Sequence, residues 1–118
     1  MNFAEMFRRE DNPLHFKAGE TIIEQGSLSD SLYVILEGAV EIRYQDHVLA
    51  TDRAGDIFGE LSLVDHEPAC ADVVAIEDTK VAAVSEARFQ FLIQQHPFFA
   101  ISVMRVLAKR LRAMNQVS

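Results

Sequence analysis

At 118 residues, 49% apolar and 25% charged, the chain has the size and composition of one globular domain rather than of a disordered segment. Its purely apolar runs reach three or four residues, such as Val34-Ile35-Leu36, far below the roughly 20 that a membrane-spanning helix needs. The net charge of −7 is split: all eighteen acids lie at or before Glu86, where the balance is −12, and the remainder carries +5, so the acidic body argues against broad contact with nucleic-acid phosphates.

In chain order, Asn2 to about Arg9 is expected to be a short helix. Asn2 can cap it, Glu5 sits in its first turn, and Phe3, Met6 and Phe7 share a face. This opening mixes Phe with Glu, Arg and Asp and has no apolar signal core, so no export signal is read and a cytoplasmic protein is expected. From Leu14 to about residue 84 the pattern changes to short runs punctuated by the chain's five glycines. Val40, Ile42 and Tyr44 alternate with Glu41 and Arg43, the period of a half-buried strand. Leu32–Leu36, Val48–Thr51, Asp72–Ile76 and Lys80–Val84 are further strands, rich in branched residues. Many short strands at near-regular spacing predict a mainly β fold, a jelly-roll-like sandwich or barrel.

After Ser85 the period becomes helical. Ser85 is a plausible cap, and Phe89, Leu92 and Ile93 form an apolar face on a helix over about 86–96. His96-Pro97 ends it, because the residue before proline is pushed out of the α region, and Pro97 then opens a longer helix over about 97–115. On that helix Ala100, Met104, Leu107, Leu111 and Met114 fall at the spacing of a coiled-coil seam. Phe99, Val103 and Val106 make a second stripe. Either one stripe packs on the roll and the other on a partner, or both are core. The late cations Arg105, Lys109, Arg110 and Arg112 are read first as partners of the helix macrodipole.

Three glycine blocks carry a resemblance. They are Gly19-Glu20-x-Ile22-x-x-Gln25-Gly26, Tyr33-Val34-Ile35-Leu36-Glu37-Gly38-Ala39-Val40, and Gly55-Asp56-Ile57-Phe58-Gly59-Glu60-Leu61-Ser62-Leu63. With the helical tail they resemble the cyclic nucleotide-binding domain family, that of the catabolite activator protein and the protein kinase A regulatory subunits, over about Leu14–Leu111. The resemblance implies an eight-stranded antiparallel β-roll (a double-stranded β-helix) with a short N-terminal helix and a C-terminal helix pair. It also implies that Gly59–Leu63 opens a phosphate-binding cassette. There Gly59 permits a tight turn and close backbone approach, and N–H groups at the following helix start can face an anion. Glu60, by resemblance, accepts from a ribose hydroxyl; the alternative is a carboxylate that serves the turn. Ser62 and Leu63 are expected to serve the turn and the core.

The cassette also departs from the family. After Pro68 the resemblance leads one to expect an arginine on the cyclic phosphate, but here Ala69 takes that place, followed by Cys70 and Ala71, and Asp72 replaces a hydroxyl residue. A lost charge-assisted hydrogen bond costs about 1.5–3 kcal/mol, so affinity for cyclic AMP or cyclic GMP is expected to be weak. Asp72 would add repulsion if it stayed near the phosphate and little if it faced solvent. His66 and Arg53 are the nearest candidates for a substitute cation. Cys70, the single cysteine, excludes an internal disulfide framework. It is either a redox-sensitive thiol over the helix start or, the favoured expectation, a buried and inert one.

An enzyme is not expected. His15, His47, His66 and His96 are dispersed, with no His-x-His pair for a metal and no glycine-flanked nucleophilic serine. No catalytic or metal-ligating residue is therefore assigned. The expected site is Gly59, Glu60, Leu61, Ser62, Ala69, Cys70 and Ala71, and the only cofactor considered is a cyclic nucleotide or related small polar ligand. The reading is a single domain over 1–118, a non-enzymatic regulatory module that senses such a ligand and pairs with a second copy through the long helix. The alternative is a ligand-free domain for dimerisation or protein–protein interaction. No helix-turn-helix follows the long helix in this chain, so direct DNA binding is not expected, nor is a membrane partner.

Overall fold

The computed structural model describes residues 2–117, with side chains as far as Ala113. They fall into two compact units that divide between Ser85 and Glu86. The first begins with a 3-10 helix, Phe3–Phe7, shorter and tighter than the helix expected over 2–9. Asn2 caps it as expected, its Oδ1 accepting the Ala4 N–H at 3.0 Å, and Phe3 and Phe7 are buried. Turns of this kind are used in short pieces because their hydrogen bonds are poorly aligned, and this one stops after five residues.

Eight strands follow: β1 Leu14–Phe16, β2 Thr21–Ile23, β3 Ser31–Glu37, β4 Ala39–Tyr44, β5 His47–Arg53, β6 Ile57–Phe58, β7 Asp72–Ala75 and β8 Thr79–Ser85. A short helix, α1 (Glu60–Asp65), lies between β6 and β7. The strands form two four-stranded sheets, β1-β8-β3-β6 and β2-β7-β4-β5, and the pairings are antiparallel. This is the eight-stranded antiparallel roll that the family resemblance implied, and a two-sheet form of the sandwich that the short strands predicted.

Ile23, Val40 and Val73 from one sheet and Ile35, Phe58 and Val81 from the other form a buried cluster, so that cluster lies between the sheets. Tyr33 and Phe58 stack beside it with ring centroids 5.2 Å apart. On the other parity of the central strands, Leu32 opposes Val84 and Val34 opposes Ala82, and all four are fully buried. Strands covered on both faces need apolar residues at both parities, which is why Leu32–Leu36 reads as a run without alternation. The 3-10 helix packs on β3. The alternation in β4 survives only in part: Val40 is buried, Ile42 half-buried and Tyr44 exposed. Tyr44 pairs with His47 at the tip of a hairpin whose two-residue turn puts Gln45 at φ 55°, away from the cluster.

In the second unit α2 (Glu86–Gln95) and α3 (Pro97–Val117) break at His96, in agreement with the proline argument. The His96 N–H donates to the Leu92 carbonyl at 2.8 Å, and the His96 carbonyl accepts from the Phe99 N–H at 2.9 Å. Phe89 and Phe99 meet edge to face, with centroids 5.7 Å apart. The two stripes of α3 have different fates. Phe99 and Val103 are buried and Val106 is half-buried. The expected seam splits, because Ala100 and Leu107 are half-buried while Met104 and Leu111 are 61% and 60% exposed. The side chain of Met114 lies outside the described residues. No single described helix is long and apolar enough to cross a membrane.

Candidate functional site

β6 ends at Phe58 in the cluster, and the chain reverses at Gly59 to start α1. Gly59 has φ 81°, a left-handed conformation that side-chain-bearing residues rarely adopt. A Cβ at Gly59 would lie 3.2 Å from the Ser31 carbonyl oxygen, 3.3 Å from Ile23 Cδ1 and 3.4 Å from Tyr33 Cδ2. The position therefore demands both the backbone freedom and the missing side chain. The helix begins at Glu60, and the Leu63 N–H reaches back to the Gly59 carbonyl at 3.4 Å. It closes at His66, whose N–H donates to the Ser62 carbonyl at 2.9 Å with φ 59°.

Within α1 the side chains divide sharply. Leu63 and Ser62 are buried, in keeping with roles in the core and the turn, and Leu61 is exposed. Glu60 is only 1% exposed, and its Oε2 is shielded from water. Long carboxylate side chains are among those least often found fully buried, since removing the charge from water is costly unless polar groups receive it. A carboxylate kept inside the fold directly after a left-handed glycine is the outstanding polar feature of this unit.

The second expected segment is fastened backbone to backbone. The Gly26 N–H donates to the Ala69 carbonyl at 2.8 Å, and the Ala69 N–H donates to the Ser27 carbonyl at 2.9 Å. Ala69 is half-buried and packs against the cluster that contains Ile23 and Phe58. Gly59 and Ala69 thus converge on one cluster from two loops, with Ala69 packed against it from the second. Ala71 is buried, but Cys70 is exposed, which corrects the expectation of a buried thiol. The reason is local: Cys70 occupies the bend between Ala69, which packs inward, and Ala71, the last residue before β7.

The structure gives Asp72 a backbone partner that the sequence reading did not consider. The residue is half-buried, and its Oδ1 accepts the Gln25 N–H at 2.7 Å, fixing the turn after β2. Sequence reasoning used Gln25-Gly26 only as a motif and missed this fastening of residues 25–27 to 69–72. It also missed Ile23 and Tyr33 as the wall against Gly59. No spacing in the sequence signals such long-range contacts. His66 and Arg53 are both exposed. Among the described residues no group of three or more His, Cys, Asp or Glu is arranged to hold a metal ion.

The family model for the cyclic nucleotide-binding domain matches residues 13–96. The chain is 35% identical over 101 residues to the Pycsar effector protein XpPycTIR of Xanthomonas perforans, a match covering 85% of this chain and 33% of that protein. It is 34% identical over 102 residues to the cyclic AMP receptor protein of Thermus thermophilus, covering 82% of this chain and 47% of that one. Among solved structures, the catabolite activator protein of Thermus thermophilus superposes with a TM-score of 0.82 at 33% identity, over 89% of this chain and 52% of that chain. The match thus spans about half or less of these relatives' own length. With its two-sheet roll, its left-handed Gly59 and its buried Glu60 in the matched segment, the chain belongs to the cyclic nucleotide-binding domain family, whose fold is that of regulatory, ligand-sensing modules.

Proposed function

We propose that the 118-residue chain acts as one non-catalytic, cytoplasmic regulatory domain that senses a small polar ligand in its roll, with weak affinity for cyclic AMP and cyclic GMP. The observation that carries this is the buried carboxylate of Glu60 directly after Gly59. Gly59 makes the left-handed turn that sets Glu60 at the start of α1, and Glu60 supplies an acceptor for a ligand hydroxyl. Leu61 and Ser62 contribute the first-turn backbone of α1, and Ala69, Cys70 and Ala71 line the opposite loop. The affinity is weak because the methyl group of Ala69 offers no charge and no donor to a cyclic phosphate.

Calorimetry and thermal-shift titration with cyclic AMP, cyclic GMP and cyclic dinucleotides test the reading. A ligand at a hundred times its dissociation constant adds about 2.7 kcal/mol of stability. Glu60→Gln should weaken binding of the responding compound by about 1–3 kcal/mol while the unliganded melting temperature holds. A lower melting temperature with unchanged affinity would make Glu60 a structural residue instead. A low-micromolar or tighter constant for cyclic AMP in the unaltered protein would remove the weak-affinity claim.

The exposed stripe of α3 favours a second reading, in which the domain acts through association. A homodimer was expected through Met104, Leu107 and Leu111; the exposure of Met104 and Leu111 supports it, whereas the half-buried Leu107 is a poorer contact. Met104→Lys should therefore yield a folded monomer in sedimentation. Unaltered protein that is monomeric at high micromolar concentration would end the dimer.

A further inference from the structure

Among the exposed apolar residues of α3, Ile101, Met104, Ala108 and Leu111 fall at spacings of three, four and three, and Phe98, 74% exposed, precedes them at the e position of the heptad before. These four shift the seam by one residue at two of its positions relative to the sequence expectation. In heptad terms Ile101 and Ala108 occupy a, and Met104 and Leu111 occupy d. Ile101 is 41% exposed, against 61% and 60% for Met104 and Leu111, so the stripe is open along its length. The next residue after each d position, at e, is Arg105 and Arg112, both exposed. The g positions hold Ala100 and Leu107, and α3 contains no Asp or Glu.

This arrangement is poorly matched to itself. In a parallel pair each e side chain faces g of the partner, so Arg105 and Arg112 would face Ala100 and Leu107. In an antiparallel pair e faces e, and arginine would meet arginine. Charges at e and g set partner choice in such seams. A second copy leaves the arginines unmatched or opposed, whereas a helix with Glu or Asp along its flanks satisfies them while its apolar residues cover Met104 and Leu111.

We infer that the a/d/e face of α3 is a docking site for an acidic amphipathic helix of another protein, which it takes in preference to a second copy of itself. The inference rests on the reading of α3 as an association face and names its occupant.

The test uses the whole chain without nucleotide. Its probes are two synthetic helical peptides with Leu at a and d, one carrying Glu and the other Lys at e and g. The Glu peptide should bind at least about tenfold more tightly than its Lys twin at low salt, with the difference shrinking as salt rises. The double variant Arg105→Glu, Arg112→Glu, with circular dichroism unchanged, should reverse the order. Equal binding of the two peptides, or an unreversed preference in the folded variant, would overturn the inference. So would binding to phosphatidylserine vesicles but to neither peptide, or a self-associated state that the Glu peptide fails to dissociate. Sedimentation without peptide separates the two proposals, since a monomer that still binds the Glu peptide ends the dimer and retains the acidic partner.

Discussion

Replacing Ala69 with Arg, together with Asp72→Thr, should raise affinity for cyclic AMP by about ten- to a hundredfold, the equivalent of one charge-assisted hydrogen bond of about 1.5–3 kcal/mol. The geometry supports the site chosen. Ala69 is held on both sides by hydrogen bonds of 2.8 and 2.9 Å to Gly26 and Ser27, and its side chain packs against the inner cluster. A guanidinium grown from that position is directed toward the roll's interior rather than into water. A bidentate fork there would match a phosphate in a way that a lysine would not.

The same burial gives the experiment an internal control. Without ligand, an arginine that displaces apolar contacts and lacks a partner should destabilise the protein, because an uncompensated charge is being desolvated. Adding cyclic AMP should then restore more stability to the variant than to the parent. Asp72→Thr matters less for charge than for the turn, since the carboxylate is already engaged with the Gln25 N–H and a threonine hydroxyl can accept that bond. Ala69→Arg alone should therefore show most of the gain. If neither the single nor the double variant gains affinity, residues 69–72 have been assigned to the wrong place in the cassette.

How much of this was legible in the sequence depends on the range of the interaction involved. The break at His96-Pro97 was read correctly because proline's constraint is local to two residues. The roll was legible because the glycine blocks carry the resemblance to a family with that fold, while the short branched strands alone gave only a sandwich or barrel. What failed has a different origin. Cys70 was expected to be buried from the usual habit of free cysteines, yet its exposure is set by the inward turns of Ala69 and Ala71 on either side. Asp72 was weighed only against a ligand, and its bond to the Gln25 N–H, 47 residues away, was not foreseen. On α3, Ile101 with Ala108 and Ala100 with Leu107 are equally good apolar choices on spacing alone. Burial, which decides between them, comes from tertiary structure that spacing does not encode. The composition of α3 did reveal the absence of acids, and only exposure turned that fact from a comment on the macrodipole into a choice of partner.

Gly38→Ala should destabilise the protein by about 3–5 kcal/mol, a larger loss than most single substitutions cause. Gly38 joins β3 to β4 with φ 96°, a conformation in which an L side chain is strained by about 1–2 kcal/mol or more. Here the strain is compounded by contact. An added Cβ would lie 2.5 Å from the Asp78 carbonyl oxygen, 2.5 Å from Thr79 Oγ1 and 2.8 Å from Thr79 Cα. Two of those atoms are backbone, and the hydroxyl is not free to rotate away without loss. Thr79 is buried, and its Oγ1 lies 3.2 Å from the Ala39 carbonyl and 2.8 Å from the Glu77 carbonyl, tying the start of β8 to the start of β4. Relief of the clash must therefore move β8, whose Val81 and Val84 are fully buried. Gly26→Ala is the matched control, because Gly26 has φ 86° but nothing within 4 Å of the added Cβ. It should lose only the backbone strain. Urea unfolding of the two variants should then show a midpoint for Gly38→Ala well below that of Gly26→Ala. Equal losses would mean that the β3–β4 turn relaxes without disturbing β8.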